Sequence, residues 1–323
     1  MGGRTTIQRG SLSNLLPDGA FKPVADRAST FPSPVFPALP PSPPATARPG
    51  NGCSQIRRRL DNLCGVKTIP VRLWLSVVAV VLLTGCAAPR NSVTQIGAID
   101  ALLAGAYDGQ VACGTLTRQG DVGLGTFDRL DGEMIVLDGR IYQVRADGRV
   151  YSPPAGVTTP FAAVVKFRPT AARELSGGIT FRKFQERLDA LLPSTNVVCV
   201  FRLTGTFRQM KTRSVPAQTK PYVPLVEATR HQSVFELGQC RGTVVGFRMP
   251  GFVKGVNVPG CHAHFLTENR QAGGHVLDFT LDEGTLELAM CSRIDLRLPT
   301  DVDVLKEIDF SRDRSEELDK AEK

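Results

Sequence analysis

The sequence predicts an α+β fold, built from mixed and antiparallel β-sheets with few helices. Three observations predict it. Short apolar runs are separated by Asp138-Gly139 and Asp147-Gly148, dipeptides that favour tight hairpin turns. Residues 180–192 carry the clearest helical stripe, with apolar side chains at 181, 184, 188, 191 and 192. From Gly242 onward the apolar runs are short and are divided by Gly-containing or polar turns, which reads as all-β.

The chain begins with material that cannot build a core. Residues 1–50 hold ten of the 23 prolines and show no periodicity. We read residues 1–65 as disordered, or as an upstream extension outside the natural product. Residues 66–86 have the layout of a secretory signal: Lys67 and Arg72, then an apolar stretch, then small residues before Cys86. That apolar stretch is shorter than the roughly 20 residues a membrane span needs. Leu83-Thr84-Gly85-Cys86 resembles the bacterial lipobox, which implies cleavage before Cys86 and lipidation of its thiol. Translation starting near Val66 would put that signal at the N-terminus. The expected location is therefore the bacterial cell envelope, with the protein held to the membrane by a lipid anchor.

Charge and cysteine usage exclude other classes. The formal charge is +8, but residues 1–86 carry ten Lys/Arg against three Asp/Glu, so the rest is nearly balanced. Nucleic-acid binding is not expected. The eight cysteines lack CxxC spacing, and five of them follow the leader, an odd number that cannot pair completely.

Residues 87–106 read as a linker running into a short helix over 96–103. A domain over 107–225 follows. Its strands are expected at 134–137, 141–145, 150–151 and 161–167. Next come the helix, capped by Thr180 and stopped by Pro193, and extended chain over 197–215. Residues 120–127, GDVGLGTF, precede a strand instead of opening a helix, so they are not a phosphate loop. A second, β domain over 226–323 has strands at 243–247, 261–266, 275–281, 285–291 and 293–298. Its charged tail, 311–323, reads as helical.

Three of the chain's four histidines, His262, His264 and His275, fall within residues 260–279. His262-x-His264 on a strand places both imidazoles on one face. The turn-rich residues 267–274 then return the chain so that His275 joins them. Three histidines with an open position are a common catalytic zinc set, and Zn2+ is the expected cofactor on this β domain. On a strand Cys261 points to the opposite face. His262-x-His264-x3-Glu268 also resembles the first metal motif of the cupin barrels, so a cupin-like metal-dependent dioxygenase or isomerase is an alternative. There, however, the last histidine comes from a later, separate motif, whereas here His275 follows at once and His231 lies upstream.

Four blocks together resemble the acetolactate decarboxylase family over nearly all of residues 95–323. They are GDVGLGTFDRLDGEMIVLDGRIYQVRADG, FRQMKTRSVPAQTKPYVPLVEA, CRGTVVGFRMPGFVKGVNVPGCHAHFLTENRQAGGHVLDF and DFSRDRSEELDKAE. The resemblance implies that family's two-domain fold, 2-acetolactate as substrate, acetoin and CO2 as products, and a homodimer. It implies that His262, His264 and His275 bind zinc and that Glu133 reaches the metal site. It also implies that Arg213 faces the substrate, with Thr126 beside it. Glu322 matches a glutamate that the family's tail folds back into the site, with Glu317 as a fallback. A non-catalytic envelope zinc-binding protein is the remaining alternative. The resemblance leaves the proton donor open between Arg213 and a metal-bound water. Arg248 and Cys261 depart from the residue types expected at their positions.

Overall fold

The computed structural model describes residues 91–299, 305–306 and 308–322. The expectations for residues 1–65, for the signal at 66–86 and for lipidation of Cys86 lie outside the described residues. The first elements are strand β1 (Ser92–Ile96), helix α1 (Ile99–Leu103), strand β2 (Val111–Ala112) and helix α2 (Leu116–Gln119). Strands β3 (Val122–Thr126), β4 (Glu133–Leu137), β5 (Arg140–Val144), β6 (Val150–Tyr151), β7 (Thr158–Thr159) and β8 (Ala162–Val165) follow. Then come β9 (Ala171–Thr180), helix α3 (Phe181–Leu191), β10 (Val198–Ser214), helix α4 (Leu225–Ala228) and β11 (Ser233–Leu237). The chain closes with β12 (Cys240–Met249), β13 (Gly260–Thr267), β14 (Gly273–Cys291), β15 (Arg293–Arg297) and helix α5 (Ser315–Glu322).

Two sheets carry the fold. The seven-stranded sheet has the order β15-β1-β8-β3-β4-β5-β6, and only its β1–β15 pair is parallel. The six-stranded sheet has the order β11-β10-β12-β13-β14-β9, with β14 also paired to β10. Strands β10, β12, β13 and β14 thus close into a ring, with β13 joined to β14 over three residue pairs.

The core follows from alternation on these strands. Val122 and Leu124 of β3 and Ile135 and Leu137 of β4 face Val200, Val245, Phe247 and Leu266 across the sheets. The outer face of the six-stranded sheet is sealed by α3 through Phe184 and Leu188, which pack with Phe201, Phe207, Phe265 and Phe279. Thr180 caps α3 as expected, its hydroxyl accepting from the Lys183 N–H at 3.4 Å. At one end of the sandwich, α1, α4 and α5 form an apolar cap that includes Ile99, Leu102, Leu225, Leu318 and Ala321.

Several expectations need correction. Residues 92–96, within the expected linker 87–106, form β1, because distant partners at 162–165 and 293–297 pair with both its edges. The short helix is confined to Ile99–Leu103. GDVGLGTF does precede a strand, β4, but it also contains one, β3. Its glycines allow close approach: a Cβ at Gly123 would lie 2.3 Å from the Ala163 carbonyl oxygen. Residues 275–281 and 285–291 are one continuous strand, β14, with a register shift between Leu281 and Glu283. The intervening Asp282-Glu283-Gly284 stays extended because β10 and β9 hold its two edges. Strand β9, unforeseen in the sequence, supplies one of those edges. A boundary at 225/226 does not divide the sheets, since β9 and β10 belong to the same sheet as β12–β14, and β15 joins the other.

The close approach at Gly123 makes a prediction. Gly123→Ala should lower the unfolding free energy by about 1–3 kcal/mol, because a backbone carbonyl cannot yield cheaply. Urea denaturation should show a lower midpoint at unchanged slope.

Candidate metal centre and active site

The site lies where the apolar layer between the sheets meets the helical cap. On β3 the inward positions run Val122, Leu124, Thr126, and on β4 they run Leu137, Ile135, Glu133. On β13 they run Leu266, His264, His262. Each strand therefore changes from apolar to polar toward the same end. Register completes the set. Thr126 pairs across strands with Glu133, His264 with His275, and Arg213 of β10 with the same His275. Helix α5 brings Glu322 over the end.

All seven residues that the resemblance points to line one cavity of about 30 Å³. His262, His264 and His275 are 6%, 1% and 2% exposed, and the Arg213 side chain is 4% exposed. The histidines offer one nitrogen each within 4.8 Å of one another. Glu133 Oε2 lies 3.5 Å from His264 Nε2, and Glu322 Oε2 lies 3.3 Å from His262 Nε2. Arg213 bridges the two carboxylates, 3.6 Å from Glu133 and 3.7 Å from Glu322.

The hydrogen bonds fix which nitrogens are left over. His264 Nδ1 donates to the Met134 carbonyl at 2.8 Å, which leaves its Nε2 buried and without a partner. His275 Nε2 donates to the Glu322 carbonyl at 3.3 Å, and its Nδ1 is likewise buried and unpartnered. A second nitrogen anchored on a backbone carbonyl is how a metal-binding imidazole is usually oriented. Burial, with the Arg213 charge adding to it, lowers His262 to about 3. Burial and the neighbouring His262 lower His264 to about 3, and burial and Arg213 hold His275 far below its usual value. All three imidazoles are therefore neutral, the form that binds metal.

The carboxylates add a second line of fit. Burial pushes Glu133 up to about 7, overcoming the pull of Arg213, and burial raises Glu322 too. Two buried carboxylates share one guanidinium, so their negative charge is incompletely offset. A divalent cation beside the three imidazoles would supply the missing charge where buried ions most need it. The residues present thus fit a metal ion.

The tail is docked firmly. Arg213 Nη2 donates to the Ala321 carbonyl at 2.9 Å, and Lys254 pairs with Asp313 at 2.8 Å. Glu317, the fallback, instead pairs with Arg312 and Arg314 away from the cavity. Glu268, required by the cupin-like alternative, is exposed and pairs with Arg241 at 3.4 Å, so it does not join the histidines. Cys261 does face away from them, packing toward the α3 side, and Arg248 pairs there with Asp189 at 2.5 Å. The five described cysteines are all free.

Sequence reasoning missed the other half of the cavity. Its lining includes Ile99, Leu102, Leu130, Phe161, Val215 and Leu225. Only the odd turn Phe127-Asp128-Arg129-Leu130-Asp131-Gly132, with its apolar residue amid polar ones, signalled Leu130. It also missed the Met134 carbonyl, because a backbone acceptor leaves no mark in composition.

Comparisons with known proteins bear on the family and the fold. The family model for alpha-acetolactate decarboxylase matches residues 93–311. The alpha-acetolactate decarboxylase of Methanosarcina mazei is 44% identical over 229 residues, covering 71% of this chain and 79% of that protein. The alpha-acetolactate decarboxylase of Bacillus subtilis is 37% identical, covering 70% and 90%. The crystal structure of the Bacillus subtilis strain 168 enzyme superposes with a TM-score of 0.70 at 34% identity, over 72% of this chain and 99% of that one. On these grounds the chain belongs to the alpha-acetolactate decarboxylase family and is a carbon–carbon lyase.

Proposed function

We propose that this chain is a zinc-dependent enzyme that decarboxylates 2-acetolactate to acetoin and CO2. The observation that carries it is the set of three buried, neutral imidazoles facing one buried arginine. His262, His264 and His275 would hold the zinc, whose ligand preferences include imidazole. When bound, zinc would act as a Lewis acid on the substrate's ketone oxygen, where negative charge develops as CO2 leaves.

The chain's own residues do the rest. Arg213 takes the substrate carboxylate and orients the breaking bond out of the carbonyl plane, which aligns it with the ketone. Its position is set from two sides, by the Ala321 carbonyl and by the two carboxylates. Glu133 and Glu322 line the same cavity and are the carboxylates available there to move the proton that replaces CO2. The Thr126 hydroxyl donates to the Gly132 carbonyl at 2.8 Å, which holds the β3–β4 turn against the cavity. Helix α5 excludes water, so these charges act in a low-dielectric space. The lipobox-like Leu83–Cys86 supports a membrane-anchored envelope location, and family resemblance supports a homodimer.

Purified protein should form acetoin from racemic acetolactate, and a chelator should abolish it. His264→Ala should lose both the metal, measured by elemental analysis, and the activity. Full activity in a metal-free His264→Ala variant would end the zinc reading. Arg213→Lys keeps the charge but loses the planar fork. It should lose about 100-fold in kcat/KM while retaining the metal.

A stability prediction concerns the chelated protein. Glu133 titrates near 4.5 unfolded and about 7 folded, so the folded state holds its proton more tightly between those values. The stability this group contributes is complete below about pH 4.5 and is lost as pH rises through about 7. Glu133→Gln does not titrate, so it should match the parent in acid. It should exceed the parent at pH 8, on the order of 3 kcal/mol by urea unfolding.

A further inference from the structure

We propose that the space beside Lys211 and Lys320, which shares Arg213 with the metal cavity, is the port by which the anionic substrate enters, and that the two lysines hold its carboxylate before Arg213 takes it. The inference rests on the decarboxylase reading above. The metal cavity measures about 30 Å³ and its walls are largely buried, so a substrate must come to it from a neighbouring space. Two larger spaces adjoin it. One, of about 510 Å³, lies against α3 and meets the metal cavity at Glu322. The other, of about 330 Å³, lies between β10, β14 and the end of α5, and meets the metal cavity at Arg213.

Charge decides between them, because 2-acetolactate is an anion. Beside α3 the guanidinium groups are already paired: Arg248 with Asp189 at 2.5 Å and Arg182 with Glu186 at 2.7 Å. The group that this space shares with the metal cavity is a carboxylate, which repels an anion. On the β10 side the shared group is a guanidinium. Lys211 and Arg213 lie two residues apart on β10 and so share a face. Lys211 reaches Glu236 only at 3.7 Å and Lys320 reaches Glu316 only at 3.9 Å, both acids being well exposed. Exposed pairs of this kind are weak, so both ammonium groups are free to turn to an arriving carboxylate. Asp278 is the one acid on this lining, against Lys211, Lys320 and Arg213.

Two unpartnered atoms suit a polar visitor. Gln232, on the same lining, has a buried Oε1 without a partner, an acceptor for the substrate's hydroxyl. Arg213 Nε is also buried without a partner, while its Nη2 donates to the Ala321 carbonyl at 2.9 Å. Ala321 follows Lys320 and lines the same space. A carboxylate held by Lys320 therefore arrives beside the contact it must replace, and the guanidinium exchanges the Ala321 carbonyl for it. A cleft of one charge sign raises the local concentration of an oppositely charged substrate by about tenfold or more.

Turnover of racemic acetolactate at low and high NaCl tests this. Parent kcat/KM should fall several-fold as salt rises. Lys211→Glu with Lys320→Glu should raise KM about tenfold at low salt, leave kcat within about twofold, and reverse the salt dependence. Lys211→Arg with Lys320→Arg should keep the parent KM, and Arg182→Glu, in the space beside α3, should move it less than about twofold. If circular dichroism or zinc content shows the reversed variant to be misfolded, Lys211→Gln with Lys320→Gln should raise KM about threefold and flatten the salt dependence. A folded, metal-loaded variant with unchanged KM, a loss confined to kcat, or an equal rise in KM from Arg182→Glu overturns the port alone. A parent protein that forms no acetoin overturns the decarboxylase reading and the port with it.

Discussion

The site depends on one cross-strand register. His275 on β14 sits opposite His264 on β13 and, across its other edge, opposite Arg213 on β10. Directly paired residues point to the same face, so these two pairings alone bring two imidazoles and the guanidinium together. A slip of one residue would turn each of them to the aromatic layer under α3. The ring of β10, β12, β13 and β14 guards against that slip, because every strand in it is held on both sides. The bulges along β14 fit the same purpose: they let a strand of this length follow β10 and still present His275 at the right place.

The second constraint is electrostatic. Three imidazoles, two carboxylates and a guanidinium are buried together at the end of an apolar sandwich. In isolation such a set would oppose folding, since buried polar groups without partners cost free energy. The fold offsets part of this through backbone acceptors: Met134 for His264, Glu322 for His275 and Ala321 for Arg213. The three histidines that keep an unpartnered ring nitrogen all line one cavity. A dication there would complete the charge balance that the protein leaves open, an arrangement that suits a metal site better than a structural core.

How much of this was legible in the sequence differs by residue. The His262-x-His264 spacing and the return to His275 were readable, because strand periodicity places side chains without any knowledge of the rest. Helix α3 was readable from its stripe and its Thr180 cap. Glu133, Arg213 and Glu322 were not readable from local chemistry, since each sits in a charged or turn-rich stretch. Only resemblance across four separated blocks singled them out. Strand β1 and the single long β14 were hidden because their extended state is imposed by partners up to some two hundred residues away. The apolar wall was hidden for a related reason. Buried Leu102 or Phe161 looks like any other core residue until the facing polar half is in view.

Anomalous diffraction at the zinc absorption edge, from crystals of the protein as isolated, tests the central claim most directly. The account predicts a single strong peak within about 2 Å of His264 Nε2 and of His275 Nδ1, with His262 as the third ligand. A peak elsewhere, or a triad that stays empty in crystals of protein shown to be active, would contradict it.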